Sequence, residues 1–486
     1  MNIIIRQEAQ KILEDLYQSD RSEFLALYGR RRVGKTFLVN TFFEKKADIY
    51  FHVTGIKNGS LAQQLTHFVT VMSAVFYKGS DIKSRVNWFD AFEGLNDAIQ
   101  KHTEGSQKIV LFFDEFPWMA TPKSKLLQAL DHYWNRYWSN DPRIKLVICG
   151  SSASWIINKV INNKGGLHNR ITQKILLKPL TLGETKKFLL MQQVKLTNHQ
   201  IAQVYMLTGG IPFYLSFVKK GLSSAQIIEA LAFSENAPLL KEFDNLFSSL
   251  FENAEPYIDL LRIIAKHRYG IAQTDIAKKS KYFSQGGRIT SKLKELEEAG
   301  FLLGFVPYQH KKKGVYYRLI DEYTLFYFYW IEPIRNTLQE SALSTGYWQG
   351  IQASASWYSW AGYAFEAMVY QHIAQIRAVL NISATAIAHS WRYIPQTKSE
   401  TGAQIDLLFD RRDDAITLCE IKFSSKAFII DKQYASELIR KKTIFVKHTR
   451  TKKQIFISLI SAEGLSENLY ADDLINGVAT LDDLMD

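Results

Sequence analysis

Asp406, Glu420 and Lys422 are the residues whose types and spacing first suggest chemistry. They lie in "GAQIDLLFDRRDDAITLCEIKF", two apolar runs joined by a polar turn from Arg411 to Asp414. Read as a β-hairpin, this stretch lets Asp406 and Glu420 approach each other on neighbouring strands. Glu420 and Lys422 are two residues apart, so they share one face while Cys419 and Ile421 point the other way. Two converging carboxylates repel unless a cation lies between them, and hard oxygen ligands suit Mg²⁺ or Mn²⁺. Asp406 and Glu420 are therefore candidate metal ligands. Lys422 is a candidate for orienting or deprotonating a water and for stabilising charge on a phosphorane-like transition state. The alternative is a solvated Glu–Lys pair worth under about 1 kcal/mol. Against it, both charges rise from a run of Leu418, Cys419, Ile421 and Phe423 whose far face reads as buried, where an unpaired charge is costly.

A second constellation lies near the start. "FLALYGRRRVGKTFLVNTFF" is an apolar run, then Gly29, Arg30, Arg31, Arg32, Val33, Gly34, Lys35 and Thr36, then a helical pattern beginning at Phe37. This is G-x-x-x-x-G-K-[ST] between strand and helix, the context the motif requires. Gly29 and Gly34 let backbone amides curl around phosphate oxygens, Lys35 reaches the β/γ-phosphates and Thr36 the Mg²⁺. "KIVLFFDEFPWM" supplies a buried strand ending in Asp114 and Glu115, at the carboxyl edge where open α/β sheets bind ligands. Asp114 would hold Mg²⁺ through water and Glu115 would polarise the attacking water. "IKLVICGSSASWI" ends a further strand at Ser151 and Ser152. Either serine can sense a γ-phosphate or simply cap the next helix. Arg170, in "GGLHNRITQK", is a candidate phosphate partner or a surface arginine.

The elements that position these groups suggest several domains. At 486 residues the chain is long for one core, and 47% hydrophobic with 22% charged residues is a globular composition. No run of about eighteen apolar residues and no signal-peptide layout are found, so we expect a soluble, cytoplasmic protein. Cys149 and Cys419 are too few for a disulfide framework or a thiolate zinc site. The net charge of +12 favours a polyanionic partner. It concentrates in Lys278–Arg318, ten Lys/Arg against three Glu, and in Lys422–Lys453, ten against two acids.

The middle of the chain predicts three helices, around Ile258–Ile264, Gln273–Lys279 and Ile289–Leu296. Two strands follow, Phe301–Val306 and Val315–Leu319, around a basic turn holding Lys311, Lys312 and Lys313. Three helices and a basic hairpin describe a winged helix. It would offer Arg288, Lys292 and Lys294 to a groove, or serve as a spacer, since Glu295, Glu297 and Glu298 share the third helix. The aromatic run "YTLFYFYWIEP" reads as core or interdomain contact in preference to a base-stacking platform.

The order "GRRRVGKT", "LFFDEF", "VICGSSAS", "GGLHNR", "LTGGIPFYL" resembles the archaeal-type P-loop ATPases of the signal-transduction class, relatives of the AAA proteins. The resemblance implies ATP as the nucleotide, a nucleotide-gated switch and not a processive motor, and nucleotide contact by Gly210 and Pro212 in a helical lid. The Asp406, Glu420, Lys422 pattern is similar to the PD-(D/E)XK restriction-like nucleases. That resemblance implies an acidic residue on a preceding helix, here Glu366, and a polar residue on a following helix start, here Lys432 or Gln433. The pattern departs from the signature where Ala403 and Gln404 precede Ile405 and Asp406. Together these readings predict an α/β multidomain chain: a P-loop ATPase parallel sheet over 1–180, a helical lid over 181–240, a winged helix over 241–335, a restriction-endonuclease-like α/β domain over 340–465 and a C-terminal tail over 466–486. The expected function is an ATP switch coupled to a metal-dependent nuclease acting on DNA. The alternative is a nucleotide-regulated ATPase that binds nucleic acid or protein without cutting. No membrane partner is expected; an oligomer or a protein partner stays open.

Overall fold

A computed structural model describes residues 5–162, 167, 169–284, 286–310, 314–340, 346–395, 397 and 400–485. The chain divides into two compact units, Met1–Pro179 and Leu180–Asp486.

The first unit is built on a five-stranded sheet in the order β2-β3-β4-β1-β5, with every pairing parallel. The strands are β1 (Glu23–Tyr28), β2 (Ile49–Thr54), β3 (Ile109–Asp114), β4 (Ile144–Gly150) and β5 (Gln173–Leu176). β3 and β4 are buried along their whole length, and β1 up to its last residue. They read as unbroken apolar runs because helices cover both faces of a parallel sheet. Phe68, Trp88, Phe92 and Phe113 fill one of those layers, Phe92 stacking on Phe113 at 5.7 Å between ring centroids. Local signals start the covering helices: Ser60 and Gln63 form a capping box on Leu61–Phe76, and Asn87 caps Trp88–His102.

The second unit opens with helices Leu182–Met191 and Asn198–Thr208, each begun by a capping box at Thr181 and Thr197. Next come helices Glu255–Ala265, Gln273–Lys279 and Gly287–Glu298, with β6 (Ile271–Ala272), β7 (Leu302–Phe305) and β8 (Tyr316–Leu319) in an antiparallel sheet ordered β6-β8-β7. The periodic positions Ile258, Leu261, Ile264, Ile289, Leu293 and Leu296 are all buried. On the third helix, Lys292 is tied to Glu295 and Tyr257, and Lys294 to Glu298. Lys311, Lys312 and Lys313, expected in the turn of a basic hairpin, fall outside the described residues. The aromatic run packs mainly inward: Tyr323, Phe326 and Tyr327 are buried, Tyr327 stacking on Phe243 at 3.8 Å.

A mixed five-stranded sheet completes this unit, ordered β13-β12-β11-β10-β9. Its strands are β9 (Ile387–Tyr393), β10 (Ala403–Asp410), β11 (Ala415–Lys422), β12 (Gln454–Ser461) and β13 (Gly477–Thr480). β9, β10 and β11 pair antiparallel, while β11, β12 and β13 pair parallel, with helix Lys432–Thr449 as the crossover from β11 to β12. The 466–486 stretch, expected as a tail, supplies β13 and so closes one edge of this sheet. Four residues are too few to show a strand period in the sequence.

Candidate functional site

Among the described residues, each unit carries a concentration of reactive groups. In the first, β1 ends at Tyr28 and the chain turns at Gly29, whose φ is 144° and where a Cβ would meet Leu177 O at 2.3 Å. Arg32 at φ 70° and Gly34 at φ 91° both lie in the left-handed region, Gly34 at the start of helix Lys35–Phe43. Such alternation turns successive amides inward and makes an anion cradle. Arg30, Val33 and Lys35 are buried, Arg31 and Arg32 half-buried, and Phe37 is 59% exposed.

Lys35 Nζ donates to Gly29 O at 3.1 Å, Arg30 O at 3.0 Å and Ser151 Oγ at 3.0 Å, so the ammonium sits within the loop. Thr36 Oγ1 donates to Asp114 Oδ2 at 2.8 Å. Burial works to raise the Asp114 carboxyl, but hydrogen bonds from His52, Thr36 and Cys149 outweigh it and hold the group below its ordinary range. An anionic carboxylate bonded to the loop threonine at the edge of β3 suits a shared Mg²⁺ shell, so these residues fit that ion. Glu115, at φ 44°, accepts from Ser151 Oγ at 2.6 Å and Ser151 N at 3.1 Å. The Ser151 hydroxyl thus bridges Lys35 and Glu115. Ser152, at the N-cap position of Ala153–Ile156, makes no side-chain cap. Arg170 is exposed on the surface. Gly210, at φ 65°, ends helix Asn198–Thr208 with Gly209, and Pro212 begins the next short helix; both lie in the second unit.

In the second unit, a cavity of about 380 Å³ is lined by Glu366, Asp406, Glu420 and Lys422, together with Arg268 and Lys441. The four residues read from the sequence therefore meet at one place. Leu407 lies opposite Cys419 in the β10–β11 pairing, and one step further along that register sets Asp406 across from Glu420. On its other side β10 shifts register against β9 between Ile405 and Leu408, an irregularity that re-aims side chains beside Asp406. Glu366 comes from helix Ala355–Gln371.

Sequence reasoning missed Arg268 and Lys441, which line this cavity, and Tyr434, which holds Glu420. Lys441 Nζ bonds both Glu420 oxygens, at 2.9 and 3.2 Å, and Tyr434 OH donates to Glu420. Lys432 and Gln433, expected to support the site, are exposed. The helix serves it through Tyr434 and Lys441, seven residues and about two turns apart on one face. Arg268, nearly a hundred residues from its partner, pairs with Glu366. The basic cluster around Lys441 was visible in the sequence; nothing local marked Arg268.

Glu420 is 6% exposed; burial works to raise its carboxyl, but Lys422, at 2.8 Å, and Lys441 outweigh it and hold it below its usual range. Asp406 accepts from Gln404 at 2.6 Å and is pushed up by burial and by the Glu420 charge. Glu366, also 6% exposed, is pushed up to about 7 by burial and by Asp406, with Arg268 opposing. Repelling carboxylates with hard oxygens suit a divalent cation, but the fit is partial. Two ammonium groups and a phenol already occupy Glu420, and among the described residues no group of three His, Cys, Asp or Glu side chains is arranged to hold a metal.

A parallel sheet with a glycine-turned phosphate loop, a threonine–aspartate pair and a glutamate at the strand edge defines a P-loop nucleotide-binding domain. Residues 5–218 match the profile of an ATPase domain predominantly from Archaea, and this segment is an ATPase domain of that type. Over 424 residues the chain is 26% identical to an uncharacterized protein of Methanocaldococcus jannaschii, covering 86% of this chain and 87% of the relative. Among solved structures it is similar to a Walker-type ATPase of Pyrococcus abyssi, with a TM-score of 0.47, 17% identity and coverage of 66% of this chain and 95% of that one. It is also similar to the ORC2 protein of Aeropyrum pernix, with a TM-score of 0.40, 15% identity and coverage of 70% and 95%. No helix among the described residues is long and apolar enough to cross a membrane.

Proposed function

We propose that the chain is an ATP-driven switch whose nucleotide state governs a phosphodiester-cleaving pocket acting on DNA. One observation carries the second half: Glu366, Asp406, Glu420 and Lys422, drawn from one helix and two strands, line a single cavity. In the ATPase domain, Lys35 would exchange its carbonyl and serine bonds for the β- and γ-phosphates. Glu115, held by Ser151, would orient the attacking water. Thr36 and Asp114 are the residues that would hold Mg²⁺, which neutralises charge on the transferring phosphoryl group.

In the cavity, Asp406 and Glu420 would hold Mg²⁺ or Mn²⁺, which when bound acts as a Lewis acid toward a phosphodiester. Lys422 would release Glu420 and turn to the developing phosphate charge, while Lys441 keeps its carboxylate oriented. The segment we read as a winged helix is joined to the cavity's own elements within the second unit. Tyr308 N donates to Ser390 O of β9 at 2.9 Å, and Arg318, on β8, lies over the Tyr370 ring at 4.2 Å. With its third-helix lysines tied to its own glutamates, this segment reads better as a connector seated on the mixed sheet than as a free DNA reader.

A second reading has an observation in its favour. Because lysines saturate Glu420, the cavity is also that of a domain that binds nucleic acid without cutting it. Supercoiled plasmid incubated with the full chain in Mg²⁺ or Mn²⁺, with and without ATP, separates the two. Cutting by the parent and not by Asp406→Ala supports the nuclease. Plasmid that is bound yet stays intact in every condition overturns it in favour of the binder.

A further inference from the structure

We infer that the strand entering the carboxylate cavity is single-stranded DNA, its bases stacking on Tyr269 and Tyr358 at the mouth. This rests on the reading of the cavity as a DNA site and adds its substrate class.

Both rings line the cavity, and both are exposed, Tyr269 by 38% and Tyr358 by 57%, whereas the Glu366 and Glu420 carboxylates lie buried at its floor. A lone surface tyrosine means little. The backbones of these two are set by their elements, a tight turn for Tyr269 and helix Ala355–Gln371 for Tyr358. Arg268 and Tyr269 are the central residues of a tight turn closed by Gly270 N donating to His267 O at 2.8 Å. Gly270 locks that turn: at φ 85°, a Cβ there would meet Phe305 at 2.7 Å and Tyr317 O at 3.2 Å. The Tyr269 ring is flanked by two guanidinium groups, Arg268 at 5.6 Å and Arg392 at 5.3 Å. Arg268, which lines the cavity, has its Nε buried without a hydrogen-bond partner among the described residues, an unmet donor.

Tyr358, Gly362 and Glu366 are spaced four residues apart on helix Ala355–Gln371, so they stand in a row on one face, and all three line the cavity. The row runs about 12 Å from mouth to floor. In its middle a Cβ at Gly362 would meet nothing within 4 Å, so the glycine leaves that wall bare. A phosphodiester must descend this row to meet Asp406 and Glu420. A duplex keeps its base faces stacked inside, so it offers nothing to the rings at the mouth of this cavity of about 380 Å³. A single strand brings a flexible backbone for the cations and unpaired faces for the rings, the combination that single-strand sites use.

The test is fluorescence anisotropy of the full chain in EDTA, with labelled twenty-nucleotide oligothymidylate and a blunt duplex of the same length. We expect at least roughly tenfold tighter binding of the single strand. Tyr358→Ala and Tyr269→Ala should each weaken it by roughly 5- to 100-fold, with Tyr358→Trp retaining it. Gly362→Leu, whose side chain enters open space and favours the helix, should weaken it as well without lowering the thermal midpoint. Equal or tighter duplex binding, or tyrosine and Gly362 variants within twofold of the parent, overturns the inference. If that duplex binding accompanies Asp406-dependent plasmid cleavage, the DNA-cleaving reading survives; if neither probe binds, both fall.

Discussion

Replacing Ser151 by alanine tests whether the hydroxyl between Lys35 and Glu115 serves catalysis or only local order. The side chain accepts from Lys35 Nζ at 3.0 Å and donates to Glu115 Oε1 at 2.6 Å. A hydrogen bond to a charged group is worth about 1.5 to 3 kcal/mol. Ser151→Ala removes two of them, but the backbone N–H of residue 151 still reaches Glu115 Oε2 at 3.1 Å, and Lys35 keeps its two loop carbonyls. Glu115 therefore loses orientation while remaining in place. If that orientation matters mainly when the water attacks, about 1.4 to 2.8 kcal/mol is lost from the transition state, a 10- to 100-fold fall in kcat. Nucleotide affinity, carried by the loop amides and Lys35, should change less than about threefold. Steady-state phosphate release with a fluorescent-nucleotide titration measures both. Ser151→Thr, which keeps a hydroxyl, should restore most of kcat. The reasoning is refuted if kcat stays within twofold of the parent, or if the whole effect is on affinity.

Two further predictions concern the buried carboxylates. Glu366, pushed up to about 7 by burial and by Asp406, binds a proton in the folded chain at pH values where an unfolded Glu, near 4.5, does not. Its contribution to stability is fully present below about 4.5 and is lost as pH rises through about 7. The second unit should therefore be less stable at pH 8 than at pH 5 by on the order of 2 to 3 kcal/mol from this group. Chemical denaturation at the two pH values measures this, and Glu366→Gln should flatten the difference; an unchanged difference removes the argument. Asp406, disfavoured as an anion by burial and by the Glu420 charge, should likewise be replaced by asparagine with no loss of stability. In EDTA, Asp406→Asn should raise the unfolding temperature by a few degrees, which differential scanning calorimetry reads directly. A fall would mean that Asp406 is better compensated than its neighbours suggest.

What the sequence disclosed follows from the range of each interaction. The hydrophobic strands β1, β3 and β4 were readable because burial on both faces leaves a continuous apolar run, a signal that lies within a few residues. Asp406, Glu420 and Lys422 were readable because a hairpin converts spacing into proximity. Glu366 required a family pattern, and the structure sets it with the other three. Lys432 and Gln433 stand at the start of a helix whose useful face begins at Tyr434 and repeats at Lys441, a matter of rotation that composition does not fix. Arg268 could not be read at all, because its pairing with Glu366 depends on how the turn after Glu255–Ala265 is seated against helix Ala355–Gln371. Ser151 and Ser152 were equivalent in sequence, and one residue's rotation at the end of β4 separates them.

The charges in the cavity constrain whatever enters it. Three carboxylates, Glu366, Asp406 and Glu420, face Arg268, Lys422 and Lys441, and the cations come from three separate segments. A buried charge left alone costs several kcal/mol, so none of these groups departs without a substitute. Glu420 is the hinge of the balance, since it holds two of the three cations. Any positive species that takes Glu420 frees the Lys422 ammonium, while Lys441, which also lowers the neighbouring Asp406 carboxyl, keeps Glu420 oriented. A freed ammonium group in a cavity of this size requires an anion, and a phosphodiester supplies one. Cation and nucleic acid should therefore bind with positive coupling. The affinity for oligothymidylate should rise when Mg²⁺ replaces EDTA, although Mg²⁺ competes for phosphates in solution. Lys422→Met should abolish that rise while leaving the binding in EDTA within a few fold, because in EDTA Lys422 is spent on Glu420. A parent protein whose affinity falls in Mg²⁺ as ordinary screening requires would show that the lysines bind carboxylate only, and that the pocket is held shut by its own charges.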